Sequence, residues 1–143
     1  MPDWAPTARR LAPRLPCHRY GADVIHRSPG WWLQLLGVAH ACVGVVVYHD
    51  ALTDIATAGV INSVPDRGDR ATAFWFMTAA PTLWLGGRLL RSAESAGDLA
   101  GQRAAGAVLT AAGLVGTAVM PVSGFPAVAA VGSAAVRRSV VRR

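Results

Sequence analysis

The sequence contains no lysine: all 14 of its cationic side chains are arginine, against eight carboxylates. Charge is scarce in general, at 15% of 143 residues, where an ordinary soluble domain carries about 25%. A soluble protein this small needs a polar surface, because its surface is large relative to its volume. With 52% hydrophobic residues, this chain lacks the side chains to make one. Cysteine is nearly absent too. Cys17 and Cys42 have no second cysteine or histidine at metal-ligand spacing beyond the adjacent His18, so no metal site is expected. No phosphate-binding loop, zinc signature or dinucleotide fingerprint occurs, and no cofactor is expected.

What is present is apolar, in blocks. Residues 1–30 are rich in proline, hold five arginines and contain no run long enough for a signal-peptide core. They read as a flexible cytoplasmic arm. The first apolar run, Trp31 to Tyr48, has 18 residues without a formal charge, opened by Trp31 and Trp32 and closed by Tyr48 as interfacial aromatics. At 1.5 Å per residue such a helix covers about 27 Å, close to a hydrocarbon core of roughly 30 Å. Residues 49–70 alternate apolar and polar positions and predict an amphipathic interfacial helix over about Ala51 to Val60, followed by a loop. The second run is Ala71 to Gly87, with Pro81 inside it and Arg88 and Arg91 expected to stop it.

The third run, Ala104 to Met120, is rich in Ala and Gly, with Ala105, Leu109, Ala112 and Gly116 at near four-residue spacing and Gly106 and Gly113 close by. Such a stripe lets helix backbones approach closely. The fourth run, Phe125 to Val136, has only 12 residues and is short for a span unless it extends past Arg137 and Arg138. The expected fold is therefore all-α: a membrane-embedded four-helix bundle, residues 31–138, with the interfacial helix between its first two members and a basic tail at 139–143.

Arginine distribution sets the orientation. Five arginines precede the first run, three (Arg88, Arg91, Arg103) lie between the second and third, and four follow the fourth, which puts twelve on one side. Only Arg67 and Arg70 fall on the other, beside four aspartates. The positive-inside rule places both termini in the cytoplasm, as a multi-pass protein of a bacterial inner membrane. The arginines stand between apolar runs rather than interleaved with aromatics along one surface, so no nucleic-acid partner is expected.

Gly37 with His40, Gly59 and Asn62, Arg70 before Ala73-Phe74-Trp75-Phe76, and the segment Met120-Pro121-Val122-Ser123-Gly124-Phe125 together resemble a family of small bacterial membrane proteins. It is common in actinobacteria and carries a domain-of-unknown-function label. The resemblance covers about Gly30 to Arg138. It implies four membrane helices and no activity.

Several residues are candidates for chemistry. His40 stands in mid-helix, where a histidine faces the bundle or a wet cavity. It is read either as one interhelical hydrogen bond or as an acid–base or ligand-binding group. Asp50 and Asp54 lie one turn apart, the spacing for a shared proton or simply for a wet helix face. Asn62 and Arg70 are expected at the outer end, fixing the polar end of a substrate whose apolar body lies between helices beside Phe74 and Trp75, with headgroup contact as the plainer account. Ser123 reads as part of a turn.

Two functions follow. One is an intramembrane site that binds or converts, by isomerisation or cyclisation, an isoprenoid- or lipid-like molecule, with His40, Asp50 and Asp54 handling protons. The other is a non-catalytic accessory subunit of a larger membrane complex, or a small oligomeric transporter. Whether the protein is an enzyme stays open at this point.

Overall fold

A computed structural model describes residues 28–141, and within them the chain is all-helical, with five helices and no strand. The first, α1 (Pro29–Val47), starts where Ser28 Oγ accepts a hydrogen bond from the Trp31 N–H at 3.2 Å, with Pro29 as its first residue. Both features satisfy or remove amides that a helix start leaves unpaired. Ser28, Pro29 and Gly30 are buried, so the fold begins before residue 31; residues 1–27 of the expected arm lie outside the described residues. Tyr48 alone separates α1 from α2 (His49–Thr57), which starts and ends earlier than its apolar pattern suggested.

The third helix, α3 (Asp69–Ala96), runs well beyond Gly87, and Arg88 and Arg91 do not stop it. A change from apolar to charged residues marks where a hydrophobic surface ends, whereas a helix ends where its backbone groups find other partners. Here Gly97 takes a left-handed conformation (φ 70°) and the Asp98 N–H donates to the Ala93 carbonyl at 2.9 Å. That is the glycine-terminated helix end. Asp98 then caps α4 (Leu99–Val119), accepting from the Gly101 N–H at 2.9 Å, so two residues turn the chain from one helix to the next. The last helix, α5 (Phe125–Val141), extends through Arg137 and Arg138 and takes in Ser139, Val140 and Val141 of the expected basic tail.

The helices associate mainly as two antiparallel pairs, α1 against α3 and α4 against α5, with lighter contact of α1 with α5 and of α3 with α4. Glycine makes both pairings possible. Gly30, Gly37 and Gly44 recur every seven residues, two turns apart and on one face of α1. They meet Gly87 and Arg91, then Ala80 and Trp84, then Phe76 and Met77 of α3 in turn. A Cβ on Gly37 would stand 2.8 Å from the Ala80 carbonyl oxygen and from the Trp84 nitrogen, both backbone atoms. In the second pair, Gly106 faces Gly132 and Val136, Gly113 faces Ala129, and Gly116 faces the Phe125 ring. The buried face of α4 is thus Gln102, Gly106 and Gly113 rather than the row through Ala112, which is exposed. Among the described residues one helix, Pro29–Val47, is long and apolar enough to cross a membrane.

Contact with backbone cannot relax by a change of rotamer, so Gly37→Ala should force α1 away from α3 and destabilise the fold by about 1–3 kcal/mol. Gly86→Ala places its Cβ 3.6 Å from Leu33 Cδ2, ordinary contact, and should be neutral or stabilising by up to about 1 kcal/mol. Thermal unfolding of the two variants beside the parent checks this; equal midpoints would refute the close-packing argument.

Candidate functional site

The central polar side chain of the α1–α3 pair is His40. Its Nε2 lies 3.1 Å from the Phe76 carbonyl oxygen. A carbonyl only accepts, so Nε2–H donates and the proton sits on that nitrogen. The imidazole also stacks on the Phe76 ring, with centroids 3.8 Å apart and planes 15° from parallel. Tyr48 approaches the same ring at 5.1 Å, tilted by 53°. His40, Gly44 and Tyr48 follow at four-residue spacing along one face of α1. Gly44, lacking a side chain, leaves the space in which the Phe76 ring and the Met77 sulfur sit. Pro81 lies within α3 and has no N–H to give the carbonyl four residues back, that of Met77. The carbonyl His40 reaches is the neighbouring one. Nδ1 of His40 makes no hydrogen bond to a described residue.

At the end of the fold near α2, Arg70 spans a loop. Nη1 donates to the Ser63 carbonyl at 3.3 Å and Nη2 lies 3.8 Å from Asp54 Oδ2. Val60 and Asn62 in that loop have positive φ (67° and 56°), as does Gly59 at 91°. Asparagine tolerates the left-handed region better than most residues, whereas a β-branched valine is strained there. Ser63 Oγ donates to the Val60 carbonyl at 2.7 Å and helps hold this turn. Asn62 is exposed and serves the backbone turn beside the carbonyl that Arg70 grips.

Asp50 and Asp54 take different partners. Asp50 lies 3.3 Å from His49 Nδ1 and is fully exposed, while Asp54 pairs with Arg70. Phe74 and Trp75 form an edge-to-face pair with centroids 5.4 Å apart, and both are exposed. They do not lie between helices. The side of α3 that carries Ala73, Phe76 and Ala80 meets α1, and helical geometry turns residues 74 and 75 away from it. The structure therefore brings Asp54 and Arg70 together and sets His40 apart with Phe76, which the sequence reading had not singled out.

A second polar group occupies the opposite end, where α1 and α4 start and α3 and α5 finish. Arg91 Nη1 donates to Gln34 Oε1 at 2.9 Å, and Glu94 Oε1 accepts from the Gly30 N–H at 3.2 Å. Gln102, 3% exposed, donates to the Ala93 carbonyl at 3.2 Å. Arg103 reaches Ser139 through Nε to Oγ (3.4 Å) and Nη2 to the carbonyl (3.3 Å). These are pins between helices. The signal for them was the placement of Gln34, Gln102 and Arg103 just inside the helix starts. Among the described residues no group of three or more His, Cys, Asp or Glu side chains is placed to hold a metal ion.

Residues 25–141 match a family described as a family of unknown function, DUF6463. No curated protein and no solved structure matches the chain.

Arg70 lies partly exposed, so its pair with Asp54 should contribute less than about 1 kcal/mol, and its larger effect is on the loop. Arg70→Gln is expected to speed amide hydrogen exchange at Val60 to Ser63 while leaving the thermal midpoint nearly unchanged. Unaltered exchange there would remove Arg70 from its role as loop clamp.

Proposed function

The chain belongs to the DUF6463 family of unknown function, and on the arrangement of its own helices we propose that it is a multi-pass membrane protein whose four long helices form a lipid-embedded bundle. The observation that carries this reading is where the side chains of each size sit. The buried faces hold glycine, alanine and serine, with Leu33 and Leu90 the only large apolar side chains fully buried among the described residues. Large apolar side chains point outward: Val46 is 78% exposed, Val119 76% and Trp75 70%. In water each such side chain forfeits roughly 1.5–3 kcal/mol of available burial. Lipid removes that penalty, and small residues then become the natural means of holding helices together.

The helix α1 supports the same reading. Its 18-residue apolar window is only 22% buried, unlike the core helix of a soluble protein. Arg88, Arg91, Arg103, Arg137 and Arg138 lie towards one end and Arg67 and Arg70 towards the other, beside Asp54, Asp66 and Asp69. The start of α1 and the end of α5 share the arginine-rich end, which favours the cytoplasm for both.

Within that membrane the geometry favours a non-catalytic role, as an accessory subunit or a small oligomer, over turnover of a substrate. The inner helix faces are taken up by close packing, Asp50 and Asp54 are solvent-side groups, and the His40 ring is held by Phe76. A second reading keeps one specific support. Nδ1 of His40 remains an acceptor, and the hydroxyl of an isoprenoid-like, quinol or lipid molecule would donate to it.

One purification separates these. The full chain is extracted from its own membranes in mild detergent, in parallel with His40→Ala, and co-purifying proteins and small molecules are identified by mass spectrometry. Stable partner subunits or a defined oligomer, the same in both proteins, are expected. A persistent monomer in detergent and in lipid would refute the subunit role. A small molecule enriched with the parent and lost from His40→Ala would establish the ligand site instead.

A further inference from the structure

We propose that the C-terminal part of α5 binds the phosphate of an anionic phospholipid headgroup, a proposal that rests on the membrane reading above. An open depression of about 360 Å³ is lined there by Ala134, Arg137, Arg138 and Val141. These positions follow the i, i+3, i+4, i+7 pattern of a single helical face. Arg137 and Arg138 thus stand side by side on that face, with a small apolar residue one turn before them and a branched one a turn after. A guanidinium meets phosphate oxygens two at a time, which suits a headgroup phosphate better than a point charge would. Ala134, one turn towards the interior of the proposed membrane, offers apolar surface to the glycerol and the first methylenes of an acyl chain.

The surroundings supply charge and rigidity. Arg88, Arg91 and Arg103 belong to the same end of the fold, and Arg142 and Arg143 follow α5 in the sequence. Among the described residues the two carboxylates at this end are engaged with backbone: Glu94 accepts from the Gly30 N–H and Asp98 from the Gly101 N–H. Ser139 is fully buried and bound by Arg103 of α4, so the face that carries Arg137 and Arg138 is fixed in orientation rather than fraying. In the proposed topology this end meets the cytoplasmic leaflet, whose anionic lipids attract each nearby arginine by about a fivefold gain in binding. An arrangement serving only to complement the negative end of the α5 dipole would need no particular lipid.

The test begins with alkaline carbonate extraction of the full-length protein from vesicles of phosphatidylcholine containing a minor fraction of phosphatidylglycerol. Protein that washes off overturns the membrane reading and this proposal with it, before any lipid is counted. For protein that stays, the lipids retained after detergent exchange are counted by native mass spectrometry. Enrichment of phosphatidylglycerol is expected, falling roughly fivefold for each arginine lost in Arg137→Gln and in Arg137→Gln/Arg138→Gln, and unchanged in Arg67→Gln at the opposite end. Arg137 is exposed, so its single variant keeps the test decisive if the double variant loses helicity. Absence of enrichment in the parent, equal enrichment in all variants, or release of the lipid by inorganic phosphate at constant ionic strength would each overturn the assignment; the last would indicate a site for free phosphate.

Discussion

The approach of α1 to α3 governs most of what the structure contains. At Gly37 the two backbones come so near that a single added carbon would stand 2.8 Å from a carbonyl oxygen and an amide nitrogen of the other helix. Such a separation brings the main chain of one helix within reach of side chains on the other. The His40–Phe76 bond uses it, and so does the Gly30–Glu94 contact at the arginine-rich end. The stacking of His40 on Phe76 follows as well, because Gly44 leaves the aromatic ring a place against α1. Polar contacts across the pair are consequences of the small-residue seam rather than its cause.

That seam also explains the distribution of bulk. A helix that offers glycine to its neighbour every seventh residue has its valines, leucines and tryptophans on the remaining faces. Each large side chain moved outward lets backbones come closer and raises dispersion contact per residue. In water the exchange is unfavourable, because apolar surface is left wet. In hydrocarbon it is favourable, since lipid and leucine are alike and only packing distinguishes a neighbouring helix from solvent. On the proposed membrane reading, a composition poor in charge and a core poor in large side chains have one cause.

The all-helical character was legible in the sequence because the apolar runs are long and, except between the last two, separated by charge. Pattern did not reveal where helices stop. The second apolar run ends at Gly87, but the helix that contains it continues to Ala96, where Gly97 and Asp98 end it through main-chain hydrogen bonds that hydropathy does not register. The contact face of α4 was displaced for a related reason: alanine and glycine are so frequent there that several rows look equally small, and only the partner helix selects Gly106 and Gly113. The glycine row of α1 lies open in the sequence, but only the partner helix shows that Gly30 continues the face of Gly37 and Gly44. At the candidate site, three aromatic residues stand in succession at 74–76. Their order cannot say which one faces inward, and the register set by Ala73 and Ala80 selects Phe76. His40 is the titratable residue in the middle of its apolar run, and the structure sets it against Phe76.

The two ends of the fold treat charge differently, and this asymmetry carries further than the count of arginines. Near α2, Arg70 is matched by Asp54 and anchors a strained loop, so its charge is compensated within the protein. At the other end, Glu94 and Asp98 are occupied by backbone amides, while Arg103 and Arg91 are held by the neutral side chains of Ser139 and Gln34. Neutral partners fix the position of a guanidinium without cancelling its charge. An end built this way presents its positive field outward in a defined geometry, whereas the α2 end turns much of its own inward. A chain that needed arginine only to stay out of the hydrocarbon would have no reason to hold it in place with serine and glutamine. Held in place, Arg91 and Arg103 keep their charge in a defined geometry at this end of the fold.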